Sequence, residues 1–292
     1  MGNYDVIVIG RGPAGISAAL YTVRANLKTL VIGTDTSSLK NASKIENYYG
    51  FETPVSGKLL LDNGVRQASR LGATIIDQEV TSIEPGNPFI VKTATGEYGS
   101  AAVLFATGQA PHRPELRGIK EFEGKGVSYC TTCDGFFYKK KSVGILGNGN
   151  YAVQEALELE PFTQDITIFT NGKNTDFTGE YVRKAVKYKI RQEPVKALLG
   201  DTVLQKILLE NGPQQIDGLF IASGTASSFD FAVKLGVDVT GNAIVTDAQQ
   251  RTNLDGVFAA GDCTGGFKQI ATAVGQGAIA GKSIIEFLRK VS

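Results

Sequence analysis

The succession of strand, glycine-rich turn, helix and strand occurs twice in this chain, and it constrains the fold more than any other feature. The first copy begins with the apolar run 6–9 (VIVI), continues through the turn 10–15 (GRGPAG) and a helix pattern, and ends in the apolar run 29–32 (TLVI). In a unit of about 30 residues this arrangement is typical of dinucleotide-binding proteins. The glycines let the backbone approach a pyrophosphate, which the N-terminus of the helix attracts with its partial positive charge. The turn residues predicted to bind a dinucleotide are Gly10, Gly12, Pro13, Ala14 and Gly15.

The second copy lies in the middle of the chain, where a strand pattern at 142–146 leads into the turn 147–152 (GNGNYA), a helix pattern and a strand pattern at 165–169. Two copies in 292 residues predict an α/β protein with two Rossmann-like nucleotide-binding domains, and they suggest a flavin site together with a nicotinamide site. Since one copy opens the chain and a glycine–acid pair at 261–262 closes it, we expect the second domain to be inserted into the first. The predicted first domain covers 1–111 and 242–292, and the inserted domain covers 112–241.

Other strand ends carry residues suited to a bound nucleotide. Asp35 lies about 20 residues past Gly15, where an acid can accept a hydrogen bond from a ribose hydroxyl. The alternative is an exposed acid in a turn. Strand patterns at 103–105 and 257–259 both end in turns that contain glycine, and ligands of open α/β sheets bind at such ends. The candidate residues there are Ala106, Thr107, Gly108, Gly261 and Asp262.

The most specific chemical feature is the CxxC motif of Cys130 and Cys133, which Asp134 follows directly. The spacing holds two sulfurs close enough to form a disulfide, and Asp134 is placed to exchange a proton with a leaving thiolate. One alternative is half of a zinc site, but a structural zinc site needs four nitrogen or sulfur ligands, and the chain has three cysteines and one histidine. The other, a pair of inert thiols, leaves the adjoining acid unexplained. We therefore predict a redox disulfide with these three residues as catalytic groups and no metal, and we interpret Cys263 as a packing residue.

Composition excludes several other classes of protein. Lys and Arg number 30 and Asp and Glu 29, which gives a formal net charge of +1 and no strong global attraction to nucleic acid or anionic membranes. No apolar run approaches the ~18 residues of a membrane-spanning helix, and no signal-peptide pattern is visible at the start. A small, odd number of cysteines argues against a secreted disulfide framework. We expect a cytoplasmic protein with no nucleic-acid or membrane partner.

These motifs together resemble the low-molecular-weight thioredoxin reductase family over nearly the whole chain. The residues that carry the resemblance are the turn 10–15, 45–47 (IEN), 106–108 (ATG), 130–137 (CTTCDGFF), and 261–262 (GD) with Gln269.

The resemblance implies FAD on the first domain, the CxxC motif on the second, thioredoxin as partner, and a homodimer. Cys133 would contact the flavin ring, Cys130 would exchange with the partner, and Asp134 would handle the proton. The cofactor residues that it further implies are Asn47 and Gln269 beside the flavin, Asp262 near the ribityl chain, and the backbone of Val80 near the adenine.

The sequence departs from the NADPH-dependent members of this family after the strand at 165–169. Those members carry a His-Arg-Arg triplet and a later Arg, and these cations hold the 2′-phosphate. Here Thr170-Asn171-Gly172 replaces the triplet, and Asp176 falls near the position of the later Arg, with Lys173 as the nearby cation. Each lost charge-assisted hydrogen bond is worth about 1.5–3 kcal/mol, so two or three losses would weaken NADPH binding by several orders of magnitude. NADH needs no 2′-phosphate site, but no acid occupies the strand end to hold its ribose.

The chain is similar instead to a subgroup of thioredoxin reductase-like flavoproteins that lacks the NADPH motifs and takes electrons from reduced ferredoxin. We therefore predict electron transfer from ferredoxin through FAD and the disulfide to thioredoxin. Ferredoxins are acidic, so the basic stretches 139–141 (KKK) and 183–191 are candidate docking patches. The alternative is a solvated turn and a solvated helix face.

Three other functions stay open at this point. An NADPH-dependent thioredoxin reductase with an unusual phosphate site would still bind coenzyme at the turn 147–152. A dithiol oxidase of the gliotoxin type also lacks NADPH motifs, but those enzymes rely on histidines near the flavin, and His112 is the only histidine here. A non-catalytic flavin-binding redox sensor would keep its biological activity without Cys130.

Overall fold

The computed structural model describes residues 2–35, 37–108, 114–223 and 228–291. These residues form two compact units, one made of residues up to 108 together with those from 228 onward, and the other made of residues 114–223. Each unit contains a sheet with neighbouring parallel strands and a glycine-rich turn between a strand and a helix, so the predicted α/β class with two Rossmann-like domains is confirmed.

The N-terminal part of the first unit is a βαβ arrangement followed by an antiparallel extension. Its elements are β1 (Gly2–Ile9), α1 (Pro13–Arg24), β2 (Thr29–Ile32), a 3-10 turn (Ser38–Asn41), α2 (Gly57–Arg70), β3 (Thr74–Ile76), β4 (Val80–Glu84), β5 (Phe89–Thr93) and β6 (Glu97–Phe105). The second half of β1 and all of β2 are buried, as parallel strands covered on both faces require, and this explains their unbroken apolar sequences.

The second unit is built around a five-stranded parallel sheet and a small antiparallel sheet. Its elements are β7 (Val127–Ser128), α3 (Thr131–Asp134), a 3-10 turn (Gly135–Tyr138), β8 (Val143–Leu146), α4 (Asn150–Leu159), β9 (Ile166–Phe169), α5 (Glu180–Ala185), β10 (Lys189–Arg191), β11 (Val195–Gly200), β12 (Leu204–Leu209), β13 (Gly212–Gln215) and β14 (Gly218–Ile221). The parallel sheet has the order β10-β9-β8-β14-β7, and β11, β12 and β13 form the antiparallel one. Buried apolar residues from both sheets, such as Leu146, Phe169 and Ile207, share one core.

The chain then returns to the first unit. The remaining elements are α6 (Ser228–Leu235), β15 (Val239–Thr240), β16 (Ala243–Ile244), β17 (Val257–Ala259), a 3-10 turn (Asp262–Thr264) and α7 (Ile270–Val291). Strand β17 pairs in parallel with β6, which also pairs with β1 and β5 in the order β3-β2-β1-β6-β5-β4. The C-terminal part of the chain therefore completes the first sheet, as the order of the motifs predicted.

The second domain boundary differs from the predicted one. Helix α6 belongs to the first unit, because Phe231 stacks on Phe105 of β6 with ring centroids 6.3 Å apart, and the Ser228 hydroxyl lies 2.6 Å from Thr107 Oγ1. Residues 228–241, which we had expected in the inserted domain, are corrected to the first unit. Of the predicted crossing at 110–114, residues 110–113 lie outside the described residues.

Helices α1 and α7 approach each other so closely that a glycine is required at the contact. A Cβ atom added at Gly277 would lie 2.1 Å from the carbonyl oxygen of Ala14 and 2.9 Å from Ser17 Cβ. Residue Ala273, one turn earlier, is buried in the same core as Ala14. The small residues of α7 thus serve helix packing, and this packing holds α7 against the first turn of α1.

We expect Gly277→Ala to lower the free energy of unfolding by about 1–3 kcal/mol, because the added methyl group meets backbone atoms that cannot move aside cheaply. The matched control is Gly275→Ala in the same helix, where an added Cβ meets nothing within 4 Å. This control should raise stability by about 0.5–1 kcal/mol, since glycine costs that much inside a helix. Urea unfolding of both variants measures the difference, and equal stabilities would contradict the packing argument.

Candidate active site

The first glycine turn is shaped to leave room above the N-terminus of α1. Gly10 has a positive φ of 113°, and a Cβ there would lie 2.1 Å from the carbonyl oxygen of Ala106. A Cβ on Gly15 would lie 1.9 Å from the carbonyl oxygen of Gly10. At Gly12, by contrast, an added Cβ meets no atom of the described residues within 4 Å. Two glycines are therefore needed for the fold of the turn, and the third borders the position where a pyrophosphate would bind.

The predicted strand-end residues meet this turn. Ala106 donates its N–H to Ile9 of β1, and Gly261, with φ of 85°, would place a Cβ 2.9 Å from Ala14 Cβ. Strands β6 and β17 are parallel neighbours, so Gly108 and Asp262 also follow strands that end at the same edge. The sequence analysis missed Gln276, whose Oε1 accepts the N–H of Gly261 at 2.8 Å and fixes this turn.

Thr107 has a local structural role in addition to its predicted one. Its Oγ1 accepts the backbone N–H of Ser228 at 3.1 Å and lies 2.6 Å from the Ser228 hydroxyl, which is buried. Thr107 thus ties the start of α6 to the end of β6.

Asn47 and Gln269, which lie 222 positions apart in the sequence, are joined by a hydrogen bond from Asn47 Nδ2 to Gln269 Oε1 at 3.0 Å. Both were predicted to lie beside a flavin, and the structure brings them together at the start of α7. Neither residue belongs to a periodic motif, so only the family resemblance pointed to them.

Asp35 is held by two cations after β2. Lys40 donates a hydrogen bond to its carboxylate, Arg11 Nη2 lies 3.6 Å from the other oxygen, and the same Arg11 atom lies 3.1 Å from Asp77. The hydrogen bond from Lys40, with the charges of Lys40 and Arg11, holds the pKa of Asp35 below its usual range. Asp35 is thus an ionised hydrogen-bond acceptor near the turn. This agrees both with an acid that binds a ribose hydroxyl and with an exposed acid in a turn.

Val80 begins β4 and is buried, and the segment before it contains an unusual polar group. Gln78 Oε1 is buried and has no hydrogen-bond partner among the described residues. A buried acceptor without a donor is costly unless a bound group satisfies it. This amide, which the sequence analysis did not single out, fits a site for the polar edge of an adenine next to the Val80 backbone.

In the second unit, Cys130 and Cys133 form a disulfide. Cys130 caps the N-terminus of the short helix α3 and accepts the Cys133 N–H on its sulfur at 3.1 Å. The two cysteines differ in exposure, because Cys130 is buried and Cys133 is exposed.

Asp134 is held in place by Ser128 of β7. The Ser128 hydroxyl donates to Asp134 Oδ2 at 2.7 Å and accepts the Cys130 N–H at 3.1 Å. One side chain thus connects the acid to the backbone of the first cysteine. The sequence analysis missed Ser128, since a serine two residues before a CxxC motif has no general signature. Burial raises the pKa of Tyr138, and the negative charge of Asp134 adds to this effect.

The second glycine turn is covered by its own chain. Asp176 forms a parallel β-bridge with Gly149 and donates its N–H to the Asn148 carbonyl at 2.7 Å. Asn148 Nδ2 donates to the Asn174 carbonyl at 3.0 Å, and Asn150 exchanges two hydrogen bonds of 2.8 Å with Thr178. Residues 174–178, which we call the cover segment, therefore lie along the turn that would carry a pyrophosphate.

The glycine that opens this second turn is required by the fold. A Cβ on Gly147 would lie 2.1 Å from the carbonyl oxygen of Ala222 and 2.9 Å from Ala152 Cβ. The GxGxxA pattern thus persists for packing whether or not a coenzyme binds.

The two basic stretches differ in how their charges are used. In the stretch 183–191, Lys184, Lys187, Lys189 and Arg191 are paired with Glu180, Glu160, Asp165 and Glu193, respectively. The hydrogen bond from Arg191 lowers the pKa of Glu193 to about 2. In the stretch 139–141, Lys139 Nζ lies 4.1 Å from the ring centre of the exposed Phe136. The stretch 183–191 therefore carries much less uncompensated charge than its sequence suggests.

Cys263 is buried, and burial raises the pKa of its thiol to about 12. Its sulfur lies 3.3 Å from the Ala260 carbonyl oxygen, in the turn that follows β17. It is a packing residue, as its isolation in the sequence suggested. Within the described residues, no group of three or more His, Cys, Asp or Glu side chains is arranged to hold a metal ion.

Comparisons with known proteins give a consistent result. The family profile "Pyridine nucleotide-disulphide oxidoreductase" matches residues 4–277. A thioredoxin reductase of Treponema pallidum (strain Nichols) is 34% identical, over 98% of this chain and 97% of its own. Among solved structures, the atypical thioredoxin reductase TRi from Desulfovibrio vulgaris Hildenborough has a TM-score of 0.94 and 42% identity, with 98% of each chain covered. A ferredoxin-flavin thioredoxin reductase from Clostridium acetobutylicum has a TM-score of 0.72 and 29% identity, with 99% of each chain covered.

In the described part of the chain, no helix combines the length and apolar character needed to cross a bilayer.

Removing the Ser128 hydroxyl should slow chemistry at the disulfide without unfolding the unit. We expect Ser128→Ala to slow reduction of the Cys130–Cys133 disulfide by dithiothreitol about fivefold, because the hydrogen bond that orients Asp134 is worth about 1 kcal/mol. Asp134→Asn should slow it further, by about 100-fold, because it removes the acid itself. Thiol trapping gives the rates, with the buried serine variant Ser100→Ala as control. An unchanged rate in Ser128→Ala would show that Asp134 needs no such support.

Proposed function

The chain belongs to the pyridine nucleotide-disulphide oxidoreductase family, among the thioredoxin reductases, and we propose that it carries electrons from reduced ferredoxin, through FAD and the Cys130–Cys133 disulfide, to thioredoxin. The observation that carries the choice of donor is the cover segment 174–178, which lies along the turn where a nicotinamide coenzyme would bind.

Charge around that turn supports the same choice. Among residues 170–178, all of which the structure describes, the only cation is Lys173, and the cover segment contributes the acid Asp176. Arg191, on the strand next to β9, is already bound to Glu193 at 2.6 Å. A 2′-phosphate at the end of β9 would face one lysine and one carboxylate, and such a site has little net attraction for a dianion.

In the segment that stands in place of the His-Arg-Arg triplet, the polar side chains are used in hydrogen bonds within the protein. Thr170 is buried and donates its hydroxyl to the Lys173 carbonyl, and Asn171 Oδ1 accepts the Val195 N–H at 2.9 Å. Gly172 adopts φ of 78°, which an arginine tolerates poorly. This segment is folded as a closed turn rather than as a phosphate-binding loop.

FAD fits the first unit on the features described above. Within the part of the chain that the structure describes, Gly12 borders open space at the N-terminus of α1, and the buried Gln78 Oε1 near Val80 has no hydrogen-bond partner. The residues that would hold FAD are Gly10, Gly12, Pro13, Ala14, Gly15, Asp35, Asn47, Val80, Ala106, Thr107, Gly108, Gly261, Asp262 and Gln269. When bound, a flavin accepts electrons singly and delivers them as a pair, which is the conversion that a one-electron donor and a disulfide require.

The disulfide transfers the electron pair by thiol–disulfide exchange. Cys133 is assigned to the flavin side and Cys130 to thioredoxin. In the reduced enzyme the Cys130 thiolate attacks one sulfur of the thioredoxin disulfide, and Cys133 then displaces thioredoxin as a dithiol and restores the Cys130–Cys133 bond. Asp134, held by Ser128, supplies the proton that a departing thiolate takes up. Because Cys130 is buried in the oxidised structure, this assignment requires that it be uncovered before thioredoxin can react.

A homodimer is part of this proposal, because the family resemblance implies it. A cytoplasmic, reducing environment is part of it as well, because thioredoxin and ferredoxin are the proposed partners. The Lys139–Lys141 stretch, beside the exposed Phe136 and the redox motif, is the proposed docking surface for an acidic partner. The dithiol oxidase alternative relies on a histidine, and the only one, His112, lies outside the described residues.

The donor can be identified by anaerobic flavin reduction. We expect chemically reduced ferredoxin to bleach the bound flavin and to support thioredoxin reduction, while micromolar NADPH and NADH leave the flavin oxidised, because the cover segment and the missing cations remove the coenzyme site. Absorbance of the flavin band gives the result, with an NADPH-dependent thioredoxin reductase in parallel as positive control. Prompt bleaching by NADPH would overturn the choice of donor but leave the disulfide chemistry intact.

The assignment of the two cysteines has its own test. Cys130→Ser and Cys133→Ser should both abolish thioredoxin reduction, by at least about 1,000-fold, because exchange needs both sulfurs. With thioredoxin that lacks its resolving cysteine and carries thionitrobenzoate in disulfide linkage on the remaining one, only the Cys133→Ser enzyme should form a stable mixed disulfide, through Cys130, with release of thionitrobenzoate. Mass spectrometry identifies the linked residue. A mixed disulfide through Cys133 in the Cys130→Ser enzyme alone would reverse the two roles.

A further inference from the structure

A buried pair of carboxyl groups lies behind the redox motif. Thr131, the residue directly after Cys130, is fully buried, and its Oγ1 lies 2.7 Å from Glu155 Oε2 and 2.8 Å from Glu158 Oε2. Both glutamates belong to α4, which packs against α3. One hydroxyl group in the redox turn is thus shared by two carboxyl groups.

The number of hydrogens in this cluster determines its charge. A threonine hydroxyl has one hydrogen to donate, and an ionised carboxylate can only accept. Two oxygen–oxygen contacts of hydrogen-bond length on the same hydroxyl therefore need a second hydrogen between them. That hydrogen must be carried by one of the two carboxyl groups, because otherwise two lone pairs would face each other at 2.7–2.8 Å.

The surroundings of the two carboxyl groups indicate which of them carries the hydrogen. Glu155 is only 2% exposed, and burial favours the neutral form of a carboxyl group. Glu158 is less buried, and its second oxygen accepts a hydrogen bond from Gln154 Nε2 at 3.1 Å, which favours the ionised form. Gln154 is oriented for this by Tyr181, whose hydroxyl donates to Gln154 Oε1 at 3.0 Å.

We propose that Glu155 is kept protonated and donates to Thr131, that Thr131 donates to Glu158, and that this bridge leaves one negative charge rather than two beside the redox disulfide. Glu155 and Glu158 are in this sense positioning residues for α3 and its cysteines. The proposal rests on the proposed role of Cys130–Cys133 as the redox disulfide, and it is independent of the electron donor.

Other ionisable groups lie on the elements that pack around α4. They are Asp134 at α3, Tyr138 in the following turn, Tyr151 and Glu160 on α4, and Glu180, Tyr181, Arg183 and Lys184 on α5, to which Cys130 and Cys133 are added only when the disulfide is reduced. Several of them have partners of their own, since Asp134 is bonded to Ser128, Glu160 to Lys187 and Glu180 to Lys184. Strands β8 and β9 contribute no ionisable side chain to α4. Through its hydroxyl group, Thr131 connects the glutamate pair to the redox turn.

The charge of the pair affects disulfide reduction directly. Reduction of the disulfide adds two electrons, and one sulfur is released as a thiolate before it takes up a proton. Each negative charge nearby opposes that thiolate and favours the oxidised form. A pair with one retained proton opposes reduction less than a doubly ionised pair would.

The protonation state can be measured directly by carbon-13 NMR of the flavin-loaded protein labelled at the glutamate carboxyl carbon. At pH 7 we expect one carboxyl resonance at the position of a protonated group. It should disappear in Glu155→Gln and remain in Glu158→Gln. If all glutamate carboxyl carbons of the wild-type protein resonate as ionised groups, or if the protonated signal survives Glu155→Gln, the proposal is wrong.

The electrostatic consequence separates the two glutamates. Glu158→Gln removes the single charge and should raise the disulfide midpoint potential by ~20 mV, which corresponds to about a fivefold change in the exchange equilibrium. Glu155→Gln keeps a donor to Thr131 and removes no charge, so its potential should match that of the wild type. Equilibration with glutathione buffers gives the potentials, and equal shifts in both variants would mean that both carboxyl groups are ionised. Neither measurement uses ferredoxin or thioredoxin, so a failed electron-transfer assay and a failed protonation assay are distinguishable.

Discussion

The first unit depends on the backbone approach between α1 and α7. Gly277 admits the carbonyl oxygen of Ala14 where any side chain would collide with it. This contact fixes the last helix of the chain over the first glycine turn, and with it the Gln276 side chain that holds Gly261. The proposed flavin site needs residues from both ends of the sequence, and one close contact and one strand pairing, that of β17 with β6, bring these ends together.

The two glycine turns share a packing requirement but differ in their surroundings. Both turns need their first glycine for packing, since Cβ atoms at Gly10 and Gly147 would each lie 2.1 Å from a backbone oxygen. The two turns differ in what lies next to their second glycine. Gly12 borders open space, whereas Gly149 is bridged to Asp176 of the cover segment. The first glycine of the second turn is therefore explained by folding alone, whatever binds beside it.

Local patterns predicted the strand–turn–helix units and the redox motif, because apolar runs, glycine turns and CxxC spacing act over a few residues. Contacts between distant residues could not be predicted in this way. Helix α6 was assigned to the wrong domain. Its place in the first unit depends on the Phe105–Phe231 stack and the Thr107–Ser228 hydrogen bond, and neither contact can be predicted from a sequence pattern. Ser128 and Glu155 were missed for the same reason, since a serine or a helical glutamate acquires its role only through the side chain that it meets. Asn47 and Gln269 were named from resemblance alone.

The buried third cysteine has a practical consequence for work on this protein. With its pKa raised to about 12, Cys263 stays a neutral thiol at any ordinary pH and reacts poorly with alkylating agents. Of the three cysteines, only the two in the CxxC motif can then respond. A thiol count on the folded protein would therefore report at most the two sulfurs of the CxxC motif, and a third reactive sulfur would signal that the first unit had opened.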